Sequence, residues 1–348
     1  MMDKQQIEIR EFFPAEATEA AFEALLTFEN KMRAERQPGD PPRSLASVKA
    51  NLQTIPPFVF LRLWQAWDVA ETAVIGQAIF VYLDTDENRH LGQVELEVLP
   101  AYRQQGIATE LLSHIAAEAE AQGRTLLMGN TNGRVPAGEQ LMLRLGGNRG
   151  LATHVNQLAL AELPPSLLQR WLDEAPTDEF ALGLWLKTYP EEQLEAVVAL
   201  HEVMNQQPRG DLDVEDTRLT GEHLRQIEAN LEAQGVERWT MYVAESATGK
   251  LAGYTELAIL PDREDMVGQG DTGVFPAYRG QGLGRWLKAA MLAKLMAERP
   301  SVQFVRTTNA DSNAAMLKIN RELGFRPYLS QTIWQIETAK VQAYLAGE

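Results

Sequence analysis

The segment Val274-Phe275-Pro276-Ala277-Tyr278-Arg279-Gly280-Gln281-Gly282-Leu283-Gly284-Arg285-Trp286-Leu287-Lys288 decides how the chain is read. A strand-like run ends at Val274, a glycine-rich turn follows, and an apolar pattern of helical period starts at Leu283 and stops before Pro300. Glycines there permit positive φ and close approach of the backbone to a ligand. The helix start offers N–H groups without intrahelical partners and the positive end of the dipole. The arrangement suits an anion, and Arg279 and Arg285 add fixed positive charge. It also suits a tight strand-to-helix turn that binds nothing, because glycine often serves backbone geometry alone. A Rossmann fingerprint would need glycine where Arg285 stands, and a P-loop ending at Gly249-Lys250 would need glycine at Ala244. Thr248-Gly249 reads instead as a hairpin turn.

Working outward, the segment has a counterpart 176 residues upstream. Pro100-Ala101-Tyr102-Arg103 repeats Pro276-Ala277-Tyr278-Arg279, Gly106 repeats Gly282, and Pro14 in FFP repeats Pro190 in TYP at the same offset. Gly76 pairs with Gly253 at an offset of 177 and Gly146 with Gly324 at 178, small drifts expected of loop insertions. Two copies of one domain follow, at 1–161 and 181–348. Pro164, Pro165 and Pro176 break the strand-like pattern between them, which predicts a linker over 162–180. In the second copy the patterning predicts a helix at 191–204, strands at 239–245 and 251–259, and a third strand ending at Val274. A helix at 283–298, a strand at 302–307, a helix closed by Gly324 and a final strand at 332–337 complete it.

The 348 residues exceed what one core usually organises, and 45% hydrophobic with 23% charged residues is globular composition. With no cysteine, disulfides, thiolate metal sites and a cysteine nucleophile are excluded. The five histidines, His90, His114, His154, His201 and His223, form no metal-binding spacing and read as surface or packing residues. No uninterrupted apolar stretch of eighteen residues occurs and the start is charged, so a cytoplasmic protein without membrane contact is expected. A net charge of −16 disfavours nucleic acid, so a polyanionic ligand has to be held locally.

The chain resembles the GNAT superfamily of N-acetyltransferases, whose Arg/Gln-x-x-Gly-x-Gly/Ala motif matches RGQGLG at 279–284 and RQQGIA at 103–108. TTNADSNAAMLKINRELGF, at 307–325, is similar to the family's later strand, helix and closing LGF. The two-copy layout is similar to that of tandem members such as mycothiol synthase, with nothing here that fixes that substrate. The resemblance implies an α/β (α+β) fold of two tandem GNAT domains, each a mixed central sheet flanked by helices, and acetyl-CoA as cofactor. It also implies that Arg279, Gly280, Gln281, Gly282, Leu283, Gly284 and Arg285 cradle the pyrophosphate, and that Val274, Asn309 and Asn313 serve the pantetheine arm. Asn313 could do no more than cap the following helix. The first copy keeps Val98, Arg103, Gln104, Gln105, Gly106, Ile107 and Ala108, but Val135 stands where the second copy has Asn313, and LRLGGNRG replaces the LGF ending. Chemistry is therefore expected in the second copy.

Direct transfer from a thioester to an amine needs a proton acceptor for the amine and a proton for the departing sulfur. Glu256 and Asp271 are the candidate bases, Glu256 being preferred because its strand is otherwise apolar; Glu95 and Glu97 stand in the first copy. Carboxylates on alternating strands also commonly just face solvent. The tyrosine that the resemblance implies as acid is Asn320 in the second copy and Met142 in the first, so Tyr328, water or solvent would return the proton. The expected activity is acetyl transfer to a primary amine of a small molecule or peptide. The alternative is a non-catalytic protein that binds or senses acyl-CoA.

Overall fold

The computed structural model describes residues 7–70 and 72–347. In chain order the first part holds β1 (Ile7–Glu11), α1 (Glu19–Arg36), α2 (Leu45–Gln53), β2 (Val59–Asp68), β3 (Ala73–Leu83), β4 (Leu91–Val98), α3 (Ile107–Ala121), β5 (Leu126–Asn132), α4 (Pro136–Arg144) and β6 (Asn148–Ala159). The second part holds α5 (Pro165–Asp173), β7 (Phe180–Leu186), α6 (Leu194–His201), α7 (Gly221–Ala233), β8 (Glu237–Glu245), β9 (Leu251–Ile259) and β10 (Met266–Val274). It continues with α8 (Leu283–Glu298), β11 (Phe304–Ala310), α9 (Ala314–Leu323), β12 (Arg326–Glu337) and α10 (Thr338–Ala346).

Two compact units result, and neither is a simple half of the chain. Among the described residues, unit 1 takes the chain up to Ala152, 209–215 and the chain from Ser330 onward, and unit 2 comprises 153–208 and 216–329. The strands of unit 1 run in the order β1-β2-β3-β4-β5-β12, and those of unit 2 in the order β6-β11-β10-β9-β8-β7. Each sheet is mixed: β4 and β5 are parallel, as are β10 and β11, whereas β12 on β5 and β6 on β11 are antiparallel. The final strand expected to complete the second copy's sheet therefore pairs with β5, from Gln331 opposite Asn132 to Glu337 opposite Leu126. The place it leaves is filled by β6, from Phe304 opposite Ala159 to Ala310 opposite Thr153. Duplication allows this exchange because both closing strands meet equivalent edges.

The expected linker at 162–180 is also different. Pro164 is the N-cap of α5 and Pro165 its first residue, and Leu168 and Trp171 are buried in the core of unit 2. Proline is well tolerated at a helix's first position, where its missing N–H costs nothing.

The site depends on α8. Leu283, Trp286, Leu287, Met291, Leu292 and Leu295 recur at helical spacing and enter one core with Trp239, Val243, Leu257 and Val267 of the sheet. Full burial of each such side chain is worth about 1.5–3 kcal/mol, so the start of α8 is held firmly over the ends of β9 and β10. In unit 1, α3 does the same with Ile107, Leu111, Leu112 and Ile115, and Ile336 of β12 joins that core.

Candidate active site

In β10 the sequence Gly268-Gln269-Gly270-Asp271-Thr272 breaks the ladder. Gln269 lies opposite Leu257 and Thr272 opposite Thr255, so Gly270 and Asp271 together face the single residue Glu256. Such a bulge bends its strand and leaves one residue out of the ladder. The parallel pairing of β10 with β11 runs from Met266 opposite Phe304 to Gly268 opposite Arg306. Beyond it, residues 269–274 of β10 and 307–309 of β11 line a cavity of about 990 Å³.

The same cavity wall takes in Arg279, Gly280, Gly282, Leu283, Gly284 and Arg285 of the loop, and Asn309, Asn313, Val274 and Asp271. Gly280 and Gly282 both have φ of +81°, and a Cβ built on either meets no atom within 4 Å. Glycine is thus favoured there by conformation, and a side chain would project into the open concavity. Gly282 is the N-cap of α8 and supplies no side-chain cap; the Arg285 N–H bonds back to the Gly282 carbonyl at 3.0 Å, while Leu283 and Gly284, the first two residues of the helix, line the cavity. Arg279 donates from Nε to the Val274 carbonyl at 3.0 Å and from Nη2 to Gln206 Oε1 at 2.8 Å. Its charge is met by a neutral amide. Arg285 pairs with Glu322 at 2.9 Å. Asn313 caps α9, its Oδ1 accepting from Met316 N at 3.2 Å, and lies in the cavity wall as well. Asn309 Oδ1 accepts from Asn320 Nδ2 at 2.8 Å and Asn156 Nδ2 at 3.3 Å. Gln281 is exposed beside these residues.

Beside the bulge lies a cluster of hydroxyls and carboxylates. Glu256 Oε1 accepts from Tyr189 and from Thr240, each at 2.8 Å. The Tyr254 hydroxyl donates to Asp271 Oδ2 at 3.4 Å, and His201 lies 3.3 Å from both tyrosine hydroxyls. Burial, and after it the charge of Glu256, push the Asp271 carboxyl up to about 6 against the bond from Tyr254. Burial also lowers the His201 imidazole, against the pull of Glu256, and raises both phenols. Asp271 lines the cavity; Glu256 sits one strand away with its Oε1 fully engaged. Tyr328 is elsewhere, its ring 3.9 Å from the Arg306 guanidinium.

Tyr189, Tyr254, His201 and Lys288 were not singled out as site residues from the sequence. The one readable signal was Lys288, a charge interrupting the apolar face of α8, where Trp286, Leu287 and Met291 are all buried. Among the described residues no group of His, Cys, Asp or Glu could hold a metal ion.

The same loop in unit 1 is arranged differently. Arg103 donates to the Val98 carbonyl at 3.0 Å, as Arg279 does to Val274, but its guanidinium is clamped by Glu35 at 2.8 and 2.5 Å. Gln104 adopts φ of +62° where the second copy has Gly280, and Gly106, at +87°, starts α3 ahead of Ile107 and Ala108. Gln105 folds back onto the Ala101 carbonyl at 3.2 Å. Val135 is the N-cap of α4 and offers no side-chain bond. β4 pairs with β3 without any shift of register, from Gly76 opposite Val98 to Val81 opposite Gln93. Glu97 is ion-paired with Arg36 and raised to about 7, chiefly by burial, while Glu95 lies opposite Ile79.

Two bodies, each with a mixed sheet, splayed parallel strands and an uncapped glycine loop, match one known arrangement, and residues 29–134 and 198–325 match the Acetyltransferase (GNAT) family. The chain belongs to that family. As a GNAT protein it has the fold that generally binds acyl-CoA, here in tandem. Among solved structures it is similar to a tandem GNAT protein from the clavulanic acid biosynthesis pathway, at 24% identity and a TM-score of 0.80, over 96% of this chain and 99% of the other. It is also similar to a GCN5-related N-acetyltransferase from Sphaerobacter thermophilus, at 14% identity and a TM-score of 0.67, over 95% and 96% of the two chains. Identities this low speak for the fold alone. No curated protein matches.

No helix among the described residues is long and apolar enough to cross a membrane.

Proposed function

We propose that unit 2 transfers the acetyl group of acetyl-CoA directly to a primary amine of a small molecule or peptide, and that Asp271 is the proton acceptor. The observation that carries this reading is the bulge, which sets Asp271 in the same cavity wall as Val274, Asn313 and the 279–285 loop. The residues suit the cofactor. The loop's open concavity at Gly280 and Gly282 and the uncapped start of α8 would hold the pyrophosphate, while Val274, Asn309 and Asn313 would hold the pantetheine arm.

Bound there, acetyl-CoA supplies an activated acyl group. The chain's own task is proton management. An alkylamine is largely protonated near neutrality, with an ordinary pKa of about 10.4, and must lose a proton before it can attack. Asp271, raised to about 6, is ionised at neutral pH and is a stronger base than an ordinary aspartate. Glu256 contributes by keeping a second negative charge beside it, with Tyr189 and Thr240 fixing its orientation.

The test is thiol release from acetyl-CoA across a panel of primary amines. Amine-dependent release that disappears in Asp271→Asn supports the reading. Binding of acetyl-CoA with no amine-dependent release from any member would favour a sensing or sequestering protein instead.

A further inference from the structure

Helix α8 turns one lysine inward. Lys288 is 1% exposed and lies in the cavity wall, and its Nζ donates to Gln269 Oε1 at 3.0 Å and Asn320 Oδ1 at 2.8 Å. Both acceptors are held in place by their own amide nitrogens. Gln269 Nε2 donates to Thr255 Oγ1 at 2.8 Å, and Asn320 Nδ2 donates to Asn309 Oδ1 at 2.8 Å. Two of the amine's hydrogens are thereby assigned, and its fourth tetrahedral position carries either a lone pair or a transferable proton. Among the described residues no carboxylate pairs with it, and burial alone pulls its pKa down to about 7.

A buried ammonium without a counter-ion is costly, and the fold does not require one. The residue 176 positions upstream is Leu112, and Met142 stands at the position corresponding to Asn320; both pack in the apolar core of unit 1. Where unit 1 has two apolar side chains, unit 2 has Lys288 bonded to Asn320. The other cations of the cavity lie further out. Arg279 and Lys318 are exposed and Arg285 is paired with Glu322. Lys288 sits five residues into α8, roughly 7–8 Å beyond its first residue, and bonds to Gln269, which borders the bulge that carries Asp271.

We propose that Lys288 is the proton donor to the sulfur that departs from the acyl group, an inference that rests on the acyl-transfer reading above. Asp271 first relays the ammonium proton to solvent, so that the neutral amine attacks; as the C–N bond forms, the surplus proton on the attacking nitrogen passes to Asp271. As the C–S bond breaks, its electron pair stays on sulfur, which takes a proton from Lys288 Nζ and leaves as the thiol. Lys288 then recovers a proton from solvent, Asp271 releases one, and the balance closes on amide and free thiol.

The experiment compares CoA with desulfo-CoA, which lacks only the sulfur, by calorimetry on the wild-type chain and on Lys288→Met. Wild type should prefer CoA by about tenfold or more, as expected for a hydrogen bond involving a charged group. In Lys288→Met the two ligands should bind alike, with desulfo-CoA as tight as before. An equal loss of both ligands in the variant would make Lys288 a strut between α8, β10 and α9 and overturn the proposal. So would a wild-type protein that does not distinguish the two. Failure of both ligands to bind wild type would instead remove the acyl-transfer reading on which the proposal rests. The ultraviolet titration of the thiol of bound CoA needs no variant: it should ionise about one pH unit below that of free CoA, and an unchanged or higher value overturns the assignment.

Discussion

The loops at 103–108 and 279–284 share a strand ahead, a helix behind and an arginine bonded back to the strand's last carbonyl, yet their surroundings make opposite use of them. In unit 2, Arg279 meets the neutral Gln206, β10 is bulged at Gly270-Asp271, and Asn313 caps α9 in the cavity wall. In unit 1, Arg103 is neutralised by Glu35, β4 runs in unbroken register, and Val135 offers no polar atom at the corresponding helix start. On the function proposed above, the shared motif is not enough by itself: the arginine's charge has to remain unspent, and the strand leading into the loop has to be bent to carry chemistry.

The sharpest way to break this contrast is a matched pair of carboxylate substitutions. Asp271→Asn should lower kcat by about 10²–10⁴-fold with little change in affinity for acetyl-CoA, whereas Glu97→Gln in unit 1 should leave turnover unchanged. A steady-state assay settles both. With Asp271 raised to about 6 and, as proposed, acting in its ionised form, kcat/KM should fall as pH drops below about 6. The reverse dependence would assign Asp271 the role of an acid.

A second effect separates Lys288 from Leu112. The unfolded chain keeps the lysine's proton up to its ordinary 10.5, the native protein only to about 7. Folding therefore releases a proton between these values, and native stability rises with pH across that window. At about 1.4 kcal/mol per pKa unit, wild type should gain about 2–3 kcal/mol relative to Lys288→Met between pH 7 and 9 in denaturant unfolding. Parallel curves for the two proteins would mean that Lys288 keeps its charge in the native state.

Much of the frame was legible in the sequence because local rules dominate there. The observed bounds of α8 match the expected 283–298, set by glycine before and Pro300 after, and β9 occupies the expected 251–259. What was illegible is non-local. The alternation along Thr332–Glu337 announces a strand, but nothing in it names β5 as the partner. Pro164-Pro165 breaks a strand pattern whether it opens a linker or, as here, starts a helix. The bulge at Gly270-Asp271 depends on the register against Glu256, so the apolar strand pattern that favoured Glu256 as the base could not reveal that Asp271 takes the cavity wall. Lys288 interrupts the apolar face of α8 in the sequence, but its partners Gln269 and Asn320 come from other elements, so only the packing identifies them.

Two smaller effects sharpen the contrast at the helix starts and in the loops. Asn313→Ala removes a side-chain cap and should cost about 1 kcal/mol of stability, while Val135→Ala, at a cap without a side-chain bond, should cost less. Thermal unfolding of the two variants ranks them. Gln104 holds a left-handed conformation that disfavours residues with a Cβ. Replacing it with glycine should therefore stabilise the protein by at most about 1 kcal/mol, without creating a cofactor site while Glu35 still binds Arg103.

The central claim is that one copy holds the cofactor and the other does not, and calorimetric titration of CoA into the full chain tests it most directly. One site per chain is expected, abolished by Gly282→Leu and unaffected by Gly106→Leu, two substitutions matched in backbone strain because both glycines have φ above +80°. Two equivalent sites per chain, or a site lost with Gly106→Leu and retained with Gly282→Leu, would contradict the account.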